Sequence, residues 1–161
     1  MRFVFIIIFT ILFAGLKAPA LAANGIDELE LKRFEAEKYY TENNFKKAYK
    51  KYLKLAKAGD HISQDRVSQM YANGDGKSVD LAEAYAWSVL AAENGSQDMA
   101  DNSNALLERN DDKADAEKRA TKLMKKYGEV ALEKKAANRA RADRGKTSGS
   151  CTGSRLGCSK G

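Results

Sequence analysis

The sequence predicts an all-α protein, a short α-solenoid of antiparallel helix pairs followed by a basic helix and a flexible tail. Alanine, leucine, lysine and glutamate dominate the chain after its first 22 residues, and these are strong helix formers. The chain also repeats itself, since Ala48 corresponds to Ala84 and Gly59 to Gly95, 36 positions later. A period of roughly 20 to 50 residues is typical of stacked helical repeats. Because such arrays present surfaces, the pattern favours a binding module.

The first 22 residues have the three parts of a secretory signal peptide. Arg2 precedes an apolar run from Phe3 to Ala14, and Ala20-Leu21-Ala22 supplies an A-x-A cleavage site. The alternative is a membrane anchor. However, an apolar core of about twelve residues, each rising about 1.5 Å, is shorter than the ~30 Å hydrocarbon layer. We expect cleavage near Ala22 and export to the periplasm or the medium. No cysteine adjoins the cleavage point, so a lipoprotein is not expected.

Residues 26–127 are predicted to form the repeat domain. Removal of the first 22 residues deletes two basic residues and no acidic one, so the net charge falls from +6 to +4. The remaining 139 of the 161 residues are an ordinary length for one domain with a modest core.

The first helix is predicted over residues 26–42, with Ile26, Leu29, Phe34 and Tyr40 as its apolar contacts. Asn43 and Asn44 end it. The second helix, over residues 45–58, has a strong apolar stripe at three- and four-residue steps: Phe45, Ala48, Tyr49, Tyr52, Leu55 and Ala56. Lysines occupy its other face: Lys46, Lys47, Lys50, Lys51, Lys54 and Lys57.

The third and fourth helices are bounded by residues that end or cap helices. Gly59 ends the second helix, and Asp60 caps a third over about 61–73. The Asn-Gly-Asp-Gly turn at 73–76 ends the third helix, and Asp80 caps a fourth over 81–94. Their expected apolar contacts are Ile62, Val67, Met70 and Tyr71, then Leu81, Ala84, Tyr85, Trp87, Ala91 and Ala92.

Two further helices, over about 97–109 and 113–127, complete three helical hairpins, which is about the minimum for a stacked array. Their apolar residues are Met99, Leu106, Leu107, Ala116, Ala120, Leu123, Met124 and Tyr127. From Glu129 the apolar pattern weakens, and residues 128–145 are predicted to form a basic helix that ends at about Asp143. The composition of residues 146–161 indicates a flexible tail.

The segment from Gly59 to Gly95 resembles a Sel-one-like repeat, a relative of the tetratricopeptide repeat. The matching positions are Gly59, Gln64, Met70, Tyr71, Gly74, Gly76, Asp80, Ala84, Trp87, Ala91, Ala92 and Gly95. Ser63, Val67 and Ser68 stand where the family has Ala, Leu and Gly. The resemblance implies a right-handed superhelix and an adaptor or scaffold role, often in bacterial envelope proteins. The family shares no active site, and its motif residues are packing and turn positions.

Both cysteines, Cys151 and Cys158, lie in the tail. In an oxidising compartment this pair is expected to close a small disulfide loop. Metal binding is the weaker alternative, because two thiols without a nearby histidine or third cysteine do not complete a tetrahedral site. The role of the adjoining Thr152-Gly153-Ser154-Arg155 segment is not predicted.

No residue pattern predicts catalysis, a cofactor or a small-molecule substrate. Gly76-Lys77-Ser78 resembles the end of a phosphate-binding loop, but a helix precedes it where a strand is required. The acidic turn from Asn73 to Asp80 lacks the spacing of a calcium loop. His61, the one histidine, is expected at a solvated helix start. Trp87 with Tyr71 and Tyr85 is expected to pack in the core, although an aromatic binding cage is the alternative. The acidic residues Glu83, Glu93, Asp98 and Asp101 have the spacing of exposed helix faces.

The stretch over residues 129–146 is the other candidate for binding. Its basic residues are Lys134, Lys135, Arg139, Arg141, Arg144 and Lys146, which attract anionic surfaces. Three interpretations stay open: a solvated helix face, contact with anionic lipid or lipopolysaccharide, and nucleic-acid binding. The last is disfavoured because aromatic residues do not alternate with the basic ones and because export separates the protein from the genome. The sequence therefore predicts a non-enzymatic adaptor for another envelope protein, with an envelope-surface binder as the alternative.

Overall fold

In the computed structural model, residues 27–148 are described, with side chains up to Arg144, and all regular secondary structure in this range is α-helical. The prediction of an all-α fold is confirmed. The helices are α1 (Glu28–Thr41), α2 (Phe45–Ala56), α3 (His61–Asn73), α4 (Leu81–Glu93), α5 (Gln97–Glu108), α6 (Lys113–Tyr127) and α7 (Glu129–Ser148). Ile26, the segment 1–22 and both cysteines lie outside the described residues.

The helix boundaries follow from local capping and turn chemistry. The carboxylates of Asp60, Asp80 and Asp112 each accept a hydrogen bond from the backbone N–H three residues later, at 3.0, 2.9 and 2.9 Å. Gly59 and Gly74, which follow α2 and α3, have φ values of +100° and +85°. The caps at Asp60 and Asp80 are therefore where the sequence predicts them. Helix α7 extends to Ser148, five residues beyond the predicted end at Asp143.

The helices pack mostly against their neighbours in the chain, with α4 at the centre. Helices α1 and α2 form one contacting pair, α3 and α4 form another, and α2 packs on α3 between them. The third pair is more open, because α5 and α6 touch each other only slightly and both lie against α4. Helix α7 contacts mainly α6. No helix of the part described is long and apolar enough to cross a bilayer.

The core combines alanines with aromatic and aliphatic side chains. It comprises Ala36, Ala48, Tyr49, Tyr52, Ala56, Val67, Met70, Trp87 and Leu90. The predicted stripe of α2 is confirmed, since five of its members are buried: Ala48, Tyr49, Tyr52, Leu55 and Ala56. The alanines leave room for close helix approach, and the rings supply most of the buried apolar area.

The prediction of a core position is wrong for two residues, Phe34 and Ile62. Phe34 is 71% exposed, because α1 buries Ala36 instead and, among the described helices, packs mainly against α2. Ile62 is 43% exposed in the first turn of α3, where Ser63 and Gln64 take the inward positions. The Gln64 side chain is turned inward because its amide donates to the Ala56 carbonyl at 3.1 Å, which satisfies an acceptor at the end of α2.

Candidate binding surfaces

Five of the twelve repeat-motif residues are buried inside the α3–α4 pair, and the other seven are half-buried or exposed. Gln64, Met70, Ala84, Trp87 and Ala91 are buried. Because they are buried, these side chains pack the helices together, and a binding partner would have to contact other residues.

The aromatic residues of this pair pack against neighbouring helices. The Trp87 ring is 2% exposed and stacks on Tyr127 of α6, with centroids 5.8 Å apart. The hydroxyls of Tyr71 and Tyr49 lie 2.7 Å apart, and their rings meet edge to face. Both contacts support the core interpretation over an aromatic cage, because the Trp87 ring is buried and the half-buried Tyr71 ring is engaged with Tyr49.

Asp80 joins the start of α4 to α6. One of its carboxylate oxygens caps α4, and the other accepts a hydrogen bond from Arg119 of α6 at 2.9 Å. Arg119 also donates to Asp115 at 2.7 Å and lies 3.9 Å from Glu83. Glu83 in turn accepts from the Trp87 indole at 3.2 Å. This ionic cluster fixes α6 against the start of α4.

A polar surface spans α1, α3 and α5, and Arg66 of α3 stands near its middle. Arg66 donates to Glu37 of α1 at 3.1 Å, and its guanidinium lies 5.2 Å from the Tyr40 ring centroid and 5.9 Å from that of Tyr52. Glu37 also accepts a hydrogen bond from the Tyr52 hydroxyl. A guanidinium held by a carboxylate and two rings is restricted in orientation before any partner arrives.

The same surface continues to α5 through Asp65. Its carboxylate accepts from Gln69 at 2.7 Å and from Asn102 of α5 at 3.3 Å, and burial raises its pKa. Gln69 accepts from Arg66 at 3.1 Å, so the polar contacts run unbroken from α1 to α5. We call this the odd-helix face: Glu37, Tyr40, Asp65, Arg66, Gln69 and Asn102.

Sequence reasoning missed the odd-helix face. Asp65, Arg66 and Gln69 have the residue types of a solvated helix surface, and nothing local shows that α1 and α5 approach them. The one available signal was the four-residue spacing of Asp65 and Gln69, which brings them together on a helix.

His61 lies half-buried at the start of α3, beside a pocket of about 230 Å³ that Glu93, Glu129 and Tyr127 also line. Both of these acidic residues, Glu93 and Glu129, already have structural partners. Glu93 accepts from the backbone N–H of Glu129 at 3.0 Å, and Glu129 accepts from Asn94 at 3.0 Å. Within residues 27–144, no group of three or more His, Cys, Asp or Glu side chains is arranged to hold a metal ion.

The Gly76-Lys77-Ser78 segment lies in a cleft of about 610 Å³ between two turns. The opposite wall is the turn between α1 and α2, and a Cβ at Gly76 would lie 2.6 Å from the Phe45 carbonyl oxygen. Lys77 extends over the Tyr49 ring at 5.5 Å. These contacts fit the interpretation of this segment as a repeat turn.

The predicted basic helix is α7, and its side chains from Glu133 to Arg144 are exposed. It crosses the turn between α2 and α3, because Leu132 lies against Gly59, where a Cβ would be 2.7 Å from the Leu132 Cδ1 atom. This crossing forms a cleft of about 570 Å³ that we call the basic cleft: Lys54 and Lys57 on one side, Lys135 and Arg139 on the other, and Leu132 between them. The structure thus places two lysines of the second helix beside the basic residues predicted for binding.

Comparisons of the chain with protein-family models, with curated proteins and with solved structures found no match.

Proposed function

We propose that this protein is a non-enzymatic, exported adaptor of the Sel-one-like repeat type, which binds a segment of another envelope protein on its odd-helix face. The observation that carries the proposal is the alignment of polar groups across α1, α3 and α5, linked by the bonds from Glu37 to Arg66 and from Asp65 to Asn102. Pre-ordered side chains cost less entropy on binding than mobile ones.

The odd-helix face also combines order with access. Arg66 and Glu37 keep 33% and 41% of their side-chain surface exposed, so a partner can reach both. A salt bridge of this exposure adds little stability, about 0–1 kcal/mol. Recognition is therefore a better explanation than stability for a linked set of charged and amide groups at this place. Such groups favour a partner segment rich in hydrogen-bonding side chains.

Site-specific photo-crosslinking in cells tests the adaptor proposal. A photoreactive residue at exposed Ile62, one helical turn from Asp65 and Arg66, is expected to capture one discrete protein. The same residue at Lys50, on the exposed side of α2, serves as the control. Capture from Ile62 is expected to fall when Arg66→Gln is added to a protein whose circular dichroism is unchanged. Identical adducts from both positions would contradict the proposal, as would capture that Arg66→Gln does not affect.

Export is part of the same proposal and has its own test. The mass of the protein recovered from cells is expected to correspond to residues 23–161. Under non-reducing conditions this mass is expected to be lower by two hydrogens, because Cys151 and Cys158 are joined. An uncut chain in the cytoplasm would contradict export while leaving the binding surface to be judged on the crosslinks.

A second candidate function is contact with an anionic envelope surface through residues 129–146. The observation that favours it is the exposure of the basic side chains of α7, including Lys134, Arg139 and Arg141. Each basic residue near such a surface contributes about 1 kcal/mol. Deleting residues 129–161 is expected to abolish binding to anionic vesicles at low salt. Equal binding by the truncated and full-length proteins would exclude this function.

A further inference from the structure

We propose that the basic cleft binds the phosphate group of an anionic lipid headgroup, with α2 supplying two of the cations. This inference rests on the second candidate function and narrows it from a charged helix to a defined site. The cleft joins residues far apart in the chain, since Lys54 and Lys57 approach Lys135 and Arg139 only because α7 crosses the α2–α3 turn.

The cations of the cleft are available to a ligand. Among the described residues, Lys54, Lys57 and Arg139 form no hydrogen bond or ion pair, whereas Lys51 on the same helix is paired with Glu35 at 2.7 Å. Lys135 differs from these three, because its ammonium donates to the Lys126 carbonyl and lies 5.4 Å from the Tyr127 ring centroid. Glu133 is the one acidic residue in the lining. Three unpaired cations against one carboxylate leave a local excess of positive charge.

Apolar surface beside these cations favours a lipid over other anions. Leu132 and two alanines form part of the cleft wall. On the other side of α7, Met124, Val130 and Ala131 line a second groove of about 530 Å³, together with Lys134 and Lys135. Val130 is 75% exposed. A ligand with a phosphate and an apolar portion satisfies both kinds of surface, whereas sites for single-stranded nucleic acid typically stack the bases on aromatic rings, and the lining of the cleft contains none.

The test compares vesicles of neutral phosphatidylcholine with vesicles that also contain phosphatidylglycerol, in a flotation assay at low salt with the mature protein. We expect binding to the anionic vesicles only. Lys54→Gln combined with Lys57→Gln is expected to weaken it by about tenfold or more. The matched control is Lys46→Gln combined with Lys50→Gln, which removes the same charge from the same helix outside the cleft. We expect this control to lose no more than about threefold, through the general reduction of charge.

A second pair of variants avoids any effect on α2. Arg139→Gln is in the cleft and Arg141→Gln is not, and both side chains are exposed on α7. The first substitution is expected to weaken vesicle binding more than the second, with circular dichroism unchanged in both. Unequal losses in both comparisons would support the cleft.

The possible outcomes separate this inference from the function on which it rests. Equal losses within both pairs would overturn the cleft and leave a diffuse basic surface as the binder. No binding of the unmodified protein to anionic vesicles would overturn both. Full competition by glycerol 3-phosphate at a concentration equal to that of the lipid phosphate would show that the cleft takes a free phosphate ester and would overturn the lipid assignment. Stronger binding to a single-stranded oligonucleotide than to the vesicles would also overturn it.

Discussion

At the scale of single residues, the two glycines of the α3–α4 turn have different requirements. Both have positive φ, +85° at Gly74 and +77° at Gly76. A Cβ at Gly74 would meet the Val79 side chain at 3.1 Å, and Val79 is 60% exposed and can move. A Cβ at Gly76 would meet the backbone of Phe45, which cannot move without shifting the neighbouring turn. Replacement of Gly76 by a larger residue is therefore opposed both by its backbone conformation and by its contact with Phe45.

We expect Gly74→Ala to lower the free energy of unfolding by about 1–2 kcal/mol, the usual cost of a left-handed alanine. Gly76→Ala adds a steric cost of about 1–3 kcal/mol to the same backbone strain. Urea denaturation of the two variants measures the difference. Equal losses would show that the contact between Gly76 and Phe45 has no energetic consequence.

The tyrosines give the protein a sensitivity to alkali. Burial raises the pKa of Tyr49 and that of Tyr71 above the ordinary value of 10.0. A pKa that is higher in the folded state stabilises the fold below the unfolded value, and this stabilisation is lost as the pH rises through the folded value. The free energy of unfolding is therefore expected to fall as the pH rises above about 10.

Urea denaturation at a series of pH values measures this decline. Tyr49→Phe removes one of the titrating groups, and its stability is expected to fall less steeply with pH. Identical slopes for the variant and the unmodified protein would show that Tyr49 does not contribute to the effect.

The sequence predicted the structural role of a residue where that role depends on neighbours in the chain. It did not predict the role where it depends on residues from other helices. Asp60 and Asp80 cap helices because their carboxylates reach the N–H three positions later, which the sequence alone specifies. Phe34 has the residue type and spacing of a core position, yet none of the described helices covers it. The odd-helix face was missed for the converse reason, because its members are polar and meet only after α1, α3 and α5 have packed.

At the scale of helices, Asp80 performs two tasks, of which its counterpart Asp112 shares only the first. Both cap a helix through bonds of 2.9 Å, but Asp80 also pairs with Arg119 of α6. Loss of a cap costs about 0.5–2 kcal/mol. The ion pair is 35–39% exposed, so solvent screening reduces its contribution to about 0.5 kcal/mol.

A double-mutant cycle separates these two tasks. Asp80→Ala and Arg119→Ala are expected to couple by about 0.5 kcal/mol, since each removes the same ion pair. Asp112→Ala and Arg119→Ala are expected to be additive within the error of urea denaturation. Zero coupling between Asp80 and Arg119 would show that this ion pair does not help to hold α6 against α4.

The sequence predicted the helix boundaries well. It predicted the packing of the helices against one another poorly. Capping aspartates and turn glycines place the ends of α2, α3 and α4 within a few positions, whereas the end of α7 lies five residues beyond its predicted position. The open arrangement of α5 and α6 depends instead on how much apolar surface each can bury against α4. Helix α5 has two buried side chains, Ser103 and Leu106, and a stripe this narrow does not show which neighbour it covers.

At the scale of the whole molecule, stability is distributed unevenly along the chain. Helices α3 and α4 contain the buried residues Val67, Met70, Trp87 and Leu90, whereas α7 is exposed from Glu133 to the last described side chain. The contacts that hold α7 lie near its start and include Leu132 against Gly59, the bond from its first N–H to Glu93 and the bond from Lys135 to the Lys126 carbonyl. We therefore expect α7 to open independently of the remaining helices.

Native-state hydrogen exchange measures this difference. Amides of α7 after Glu133 are expected to exchange through local opening, and those of α3 and α4 only through global unfolding. Leu132→Ala is expected to speed exchange in α7 and to leave α3 unchanged. Equal protection of α7 and α4 would instead show that all the described helices unfold together.

Trp87 is the sole tryptophan of the chain, and it sits at the joint where α6 returns to α4. Intrinsic fluorescence excited at the indole band therefore reports on one location and needs no attached dye. Separation of its ring from Tyr127, or loss of its bond to Glu83, would expose the indole and shift its emission to the red. The emission of Trp87 therefore shows whether α6 stays packed against α4 when a partner or a membrane binds elsewhere.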